Sequence, residues 1–130
     1  MEVGTLYQLK YTVSEEAYMH FIALSNDHNP LHVDDAFAQQ KGFPSKVMHG
    51  NILNAFLSHF IGEGLPTKDV IIHSQEIQFK NPVFLNDELD FNAELSEYYE
   101  SVKACVFKFT FKNNAKKIVA KGKIQIGIIE

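Results

Sequence analysis

The sequence predicts an α+β fold in which an antiparallel sheet folds around one central helix. Helical patterns crowd the first half of the chain, and strand patterns follow one another through the second half with no helix between them. Successive strands without intervening helices cannot form parallel crossovers, which leaves antiparallel pairing. The segment Asn51 to Ile61 is apolar on most of its sides, and a helix of that kind needs cover on most of its sides.

Taken in order, Tyr7, Leu9, Tyr11 and Val13 alternate with Leu6, Gln8, Lys10 and Thr12, the pattern of a strand with one buried face. Ser14 stops it and caps a helix whose first turn carries Glu15 and Glu16 at the positive end of the dipole. Ala17, Phe21 and Leu24 are expected on the inner face of this helix, which runs to about Asn26. Pro30 disfavours helical geometry at Asn29, so Asp27 to Leu31 are expected to be irregular. Asp34 or Asp35 caps a short second helix that Gly42 ends. The apolar helix after Gly50 closes at Gly62, Gly64 and Pro66. Strands are then expected over Val70 to Phe79, Glu88 to Tyr98, Val102 to Phe111 and Ile118 to Ile129. There is no repeat, low-complexity tract or linker, and 130 residues at 45% hydrophobic composition suit a single domain over residues 1–130 with one core.

Sixteen acidic residues face twelve basic ones, for a formal charge of −4, which is not the one-sided basic footprint of a nucleic-acid binder. Every basic residue is a lysine, so phosphate would be met by ammonium or backbone N–H groups without a bidentate guanidinium. Lys116, Lys117, Lys121 and Lys123 read as a solvated strand edge. The lone cysteine, Cys105, precludes an internal disulfide framework and a multi-thiolate metal site. It alternates with Phe107, Phe109 and Phe111, which places it in the core, not in catalysis. The N-terminus lacks the pattern of a signal peptide and no apolar run is long enough to span a bilayer. A cytoplasmic protein with no membrane partner is the expectation.

The chain carries no Gly-rich phosphate loop, nucleophile elbow, H-E-x-x-H or paired C-x-x-C. Histidines stand at 20, 28, 32, 49, 59 and 73 without a metal-ligand spacing, so no metal is expected; His20, His59 and His73 read as structural. Asp27 and His32 are five residues apart across a proline, a separation that a tight loop, but not a helix, can close to one point. A carboxylate beside an imidazole can orient it or hold a water with it for acid/base work. The alternative is that Asp27 caps the loop and His32 packs. Asn29 before Pro30 is a turn signal and braces the loop. Gly50 opens the apolar helix and offers either an unobstructed N–H as an oxyanion donor or a close helix–strand contact. His49 beside it reads as a binding group or, preferably, as a hydrogen-bonding loop anchor.

Asp27-x-Asn29-Pro30-Leu31-His32, followed by Ala38, resembles the hydratase-2 motif of the MaoC-like dehydratases, in particular the short (R)-specific enoyl-CoA hydratases. Val47-Met48-His49-Gly50-Asn51 is similar to that family's approach to its central helix, and Phe79-Lys80-Asn81-Pro82-Val83-Phe84 with Asp87 to its strand-and-turn signature. Asn86 stands where a glycine is common, and it tolerates left-handed angles nearly as well. The resemblance implies a hot dog fold, a curved five-stranded antiparallel sheet around the helix with a helical overhang, and homodimers with shared sites. It implies reversible syn hydration of trans-2-enoyl thioesters to (R)-3-hydroxyacyl thioesters in fatty acid metabolism. Asp27 and His32 would then be catalytic and Gly50 and Ser58 substrate-binding. Neither metal nor redox cofactor is required, and coenzyme A or an acyl-carrier arm enters only as part of the substrate. The rival expectations are a hot-dog acyl-thioesterase and a non-catalytic acyl-thioester-binding partner subunit.

Overall fold

A computed structural model describes residues 1–130, beginning with the alternating segment as strand β1 (Leu6–Thr12). Tyr7, Leu9 and Tyr11 turn toward the core, as the alternation requires. Helix α1 (Glu15–Ser25) starts where the Ser14 hydroxyl accepts the Ala17 N–H at 3.1 Å, and it ends at Asn26 with φ of 53°. Its inner face differs from the expected one. Tyr18, Phe21 and Ile22 turn inward, whereas Leu24 is 84% exposed. Tyr18 can bury its ring because its hydroxyl reaches the carbonyl of His32 at 2.7 Å.

The following segment forms two short helices where one was expected. Helix α2 (Pro30–Val33) begins directly at the proline, and helix α3 (Asp35–Gln40) follows. Proline excludes the helical region for the residue before it but is itself suited to a first helical position, so Asn29 is extended while Pro30 is helical. Asn29 Oδ1 accepts the Leu31 N–H at 3.0 Å. Asp34, with φ −125° and ψ 107°, breaks the two helices apart, and its carboxylate caps α3 through the Ala36 and Phe37 N–H groups. Gly42, with φ of +93°, turns the chain after α3 in a conformation that only glycine adopts freely.

Helix α4 (Ile52–Glu63) buries Ile52, Leu53, Leu57, Phe60 and Ile61. Each such side chain contributes about 1.5–3 kcal/mol relative to exposure. The Phe60 ring lies 5.0 Å from Phe91, 5.4 Å from Phe107 and 5.4 Å from Tyr7, which seats α4 across the sheet. The opposite side of α4, with Ala55, Ser58 and His59, is exposed, so one chain covers this helix on one side only.

Strands β2 (Val70–Phe79), β3 (Glu88–Tyr99), β4 (Ala104–Lys112) and β5 (Ile118–Ile128) complete the sheet in the order β1-β3-β4-β5-β2, every neighbouring pair antiparallel. Register shifts at Ile72/Ser74, Leu95/Glu97 and Phe111/Lys112 bend it. The result is the hot dog arrangement. Asn86 occupies the left-handed region at φ 69°, and Asp87 Oδ2 accepts the Phe84 N–H at 2.9 Å, so the turn forms without glycine. The four C-terminal lysines lie elsewhere than at a strand edge. Lys116 and Lys117 sit between β4 and β5, and Lys121 and Lys123 are exposed on β5, an internal strand of the sheet.

Cys105 is wholly inaccessible within β4, and burial pushes its thiol above the ordinary range, which makes thiolate chemistry unfavourable. The expected outcome is that a thiol reagent modifies Cys105 in the unfolded chain within seconds and in the native protein only at the rate of unfolding, as followed by absorbance of the released chromophore.

Candidate active site

The site forms where the overhang of α1 to α3 meets the start of α4. Asp27 begins it with a tight turn in which its Oδ1 accepts the Asn29 N–H at 3.0 Å. This carboxylate therefore does cap the loop, yet the bond occupies Oδ1 and leaves Oδ2 available. The two readings open from spacing alone are compatible, since one oxygen can brace the turn while the other makes no hydrogen bond within the chain.

His32 is held on every side. Its ring Nδ1 is 2.8 Å from the carbonyl oxygen of Val47, its own carbonyl accepts the Tyr18 hydroxyl, and its N–H donates to Asn29 at 2.8 Å. A carbonyl can only accept, so Nδ1 carries the proton and Nε2 presents a lone pair. His49 is only 4% exposed and behaves as the expected anchor. Its Nε2 donates to the backbone carbonyl of Asp27 at 2.9 Å and lies 3.9 Å from Asp27 Oδ2. Its ring stacks on that of His32 at 4.1 Å with 30° between planes.

One polar atom from each of Asp27, His32 and His49 falls within 4.8 Å of the others, a cluster invisible in the spacing because the third member comes from another segment. The His49 nitrogen facing Asp27 donates its proton to that residue's carbonyl, so it has no lone pair to offer an ion. The arrangement suits proton handling by Asp27 and His32 better than metal coordination.

Gly50 stands one residue before the cap of α4. Its N–H donates to nothing within the chain, and Asn51 makes no side-chain capping bond, so the positive end of the helix is open. His32 and Gly50 both line a cleft of about 440 Å³ whose apolar wall includes Phe43, Val47, Met48, Leu53, Phe79 and Val83. A Cβ on Gly50 would come within 2.8 Å of the Phe79 ring, so the close approach and the open N–H are both present.

Ser58 lies on the exposed side of α4 and does not border this cleft in the single chain. Phe56, Leu57 and Phe60, the side chains first considered for an acyl pocket, do not line it either. Leu57 and Phe60 are fully buried, and Phe56 stacks on Tyr11 at 4.6 Å. The wall comes instead from Phe43, from the approach to α4 and from the Phe79 to Val83 segment. Of these, only the last two were marked by motifs.

The profile of the MaoC like domain matches residues 2–118. The chain is 37% identical over 100 residues to an (R)-specific enoyl-CoA hydratase of Aeromonas caviae, covering 77% of this chain and 75% of that one. It is 30% identical over 123 residues to an (R)-specific enoyl-CoA hydratase of Rhodospirillum rubrum, covering 95% and 85%. Among solved structures, an (R)-hydratase from A. caviae involved in PHA biosynthesis superposes with a TM-score of 0.91 at 30% identity, covering 98% of this chain and 97% of that one.

Gly50→Ala is expected to fold with its Tm lowered by no more than about 8 °C, equivalent to about 1–2 kcal/mol. The atoms in the way belong to the Phe79 side chain, which is 51% exposed and free to swing. A crystal structure should show the ring displaced; a variant that does not fold would show instead that the ring is fixed.

Proposed function

The chain belongs to the MaoC-like domain family, and from that premise we propose that it is an (R)-specific enoyl-CoA hydratase, a hydro-lyase adding water reversibly to trans-2-enoyl thioesters. The observation that carries the reading is the convergence of two separate elements on one cleft. His32 and Gly50, from different elements, both line it, with an Asp27 carboxylate oxygen near the imidazole.

In the proposed reaction, Asp27 Oδ2 and His32 Nε2 hold a water molecule and take its proton as the oxygen attacks C3 of the enoyl group. Negative charge grows on the thioester oxygen, where the Gly50 N–H at the positive end of α4 stabilises it. The Asp27/His32 pair then returns that proton to C2 from the same side, which restores the pair and makes the addition syn. The product is an (R)-3-hydroxyacyl thioester, in fatty acid metabolism. Neither a metal nor a redox cofactor enters this scheme, and coenzyme A or an acyl-carrier arm is part of the substrate. A cytoplasmic location belongs to the same reading and is supported by a single cysteine kept as a buried thiol. No helix is long and apolar enough to cross a membrane.

The active unit in this reading is a homodimer. Edge strand β2 exposes Ile71 at 51% and Ile72 at 37%, and α4 has an uncovered side bearing Ser58. An edge with unpaired backbone groups and apolar side chains is suited to a second copy. Ser58 is proposed to contribute to substrate binding within that assembly.

With crotonyl-CoA, the expected result is fading enoyl absorbance without release of free thiol. Thiol release would indicate a thioesterase, and no change a binding subunit. Asp27→Asn and His32→Ala are each expected to lower kcat about 10²–10⁴-fold with an unchanged circular dichroism spectrum; near-normal turnover in either would overturn the mechanism. Sedimentation at assay concentrations should give twice the mass of the chain, and a fully active monomer would exclude the shared site.

A further inference from the structure

We propose that His49 is a positioning residue for hydration, holding the Asp27 loop against His32 through its Nε2–H bond to the Asp27 carbonyl. The inference rests on the hydratase reading above.

His49 is 4% exposed and does not line the cleft, so it is not placed to touch substrate. Its contacts instead reach each member of the site. The Nε2–H donates to the Asp27 carbonyl at 2.9 Å, the ring lies under His32 at 4.1 Å, and its backbone leads directly into Gly50. Phe21, with ring centroids 4.9 Å apart, and Tyr18, at 6.1 Å, press on the same ring from α1. Asp27 itself is exposed and held by its local turn, so the donor from His49 is the contact that ties this residue to a buried part of the fold.

The other ring nitrogen points the same way. His49 Nδ1 is buried with no hydrogen-bond partner. A buried polar atom left unpartnered destabilises a fold, and a phenyl ring would fill the space and stack on His32 without that cost. The Asp27 carbonyl belongs to an exposed residue that water can reach. A histidine here is therefore poorly explained by stability and well explained by the need for one directed donor. Groups that orient a site residue are commonly worth 10–100-fold in activity, as with the outer partners of metal-ligating histidines.

The test compares purified His49→Phe and His49→Gln with the unmodified protein. Phenylalanine keeps the ring and removes the donor, whereas glutamine keeps a donor near the Nε2 position and removes the ring. His49→Phe is expected to melt at or above the parent temperature while its kcat for crotonyl-CoA falls about 10–100-fold with KM within about twofold. His49→Gln is expected to keep kcat within about fivefold, because an amide N–H can replace the imidazole donor. Hydrogen exchange at the Asn29 amide, whose partner is Asp27 Oδ1, should speed up in His49→Phe and not in His49→Gln. Parent-like turnover in His49→Phe, or equal losses in both variants, would overturn the proposal. If the unmodified protein fails to hydrate crotonyl-CoA, the hydratase reading fails instead, and the exchange experiment still reports on the contact. If His49→Phe does not fold, an inactive but folded His49→Gln would also overturn the proposal.

Discussion

The site depends on two residues, Val47 and Met48, that tie the helical overhang to the sheet. The Val47 N–H donates to Leu31 and its carbonyl receives the His32 ring, while the Met48 N–H donates to Val83 and Val47 bridges to Phe84. These bonds lie on a segment in which Met48 is buried, so water competes poorly for them and they hold one geometry. Leu31 and His32 are thereby fixed relative to the segment that leads into Gly50. Besides that tie, the overhang is held to the approach to α4 by the His49 bond to the Asp27 carbonyl and by the Lys46 N–H bond to Asp35.

Helix α4 supplies the other half of the geometry. Its aromatic contact with Phe91, Phe107 and Tyr7 sets its position on the sheet, and its position sets where the Gly50 N–H points. A preorganised donor is worth more than one that must be ordered during reaction, because its reorientation has already been accomplished in folding. In the proposed reaction, packing in the core would therefore act at the N-terminal end of the helix. The opposite side of α4 and the β2 edge remain uncovered in one chain.

Asp27 illustrates how one short loop can brace itself and still leave a carboxylate oxygen for the proposed chemistry. Its Oδ1 closes the turn that leads to Asn29, and Asn29 then caps α2, in which His32 is the third residue. Removing the carboxylate charge while keeping its shape separates these roles, since an amide oxygen still accepts the Asn29 N–H. His49 acts on the same residue from the buried side, so the loop is braced locally by its own side chain and at longer range by an imidazole.

Elements with a strong local cause were legible in the sequence. The Ser14 cap, the alternation of β1, the left-handed Asn86 turn, the strand-rich second half and the apolar α4 all follow from side-chain period, capping or backbone preference within a few residues. The motif Asp27-x-Asn29-Pro30-Leu31-His32 likewise marked the loop, because its residues act on one another across short distances. The rotated face of α1 and the split between α2 and α3 were less legible, since they depend on the Tyr18 hydroxyl reaching His32 and on the extended backbone at Asp34. The stacking of His49 on His32, the Nδ1 bond to Val47, the Phe79 ring over Gly50 and the walls of the cleft were decided only by the tertiary structure. They join residues 15 to 29 positions apart or more, and no local period or propensity encodes which distant groups the folded sheet brings within a few ångströms.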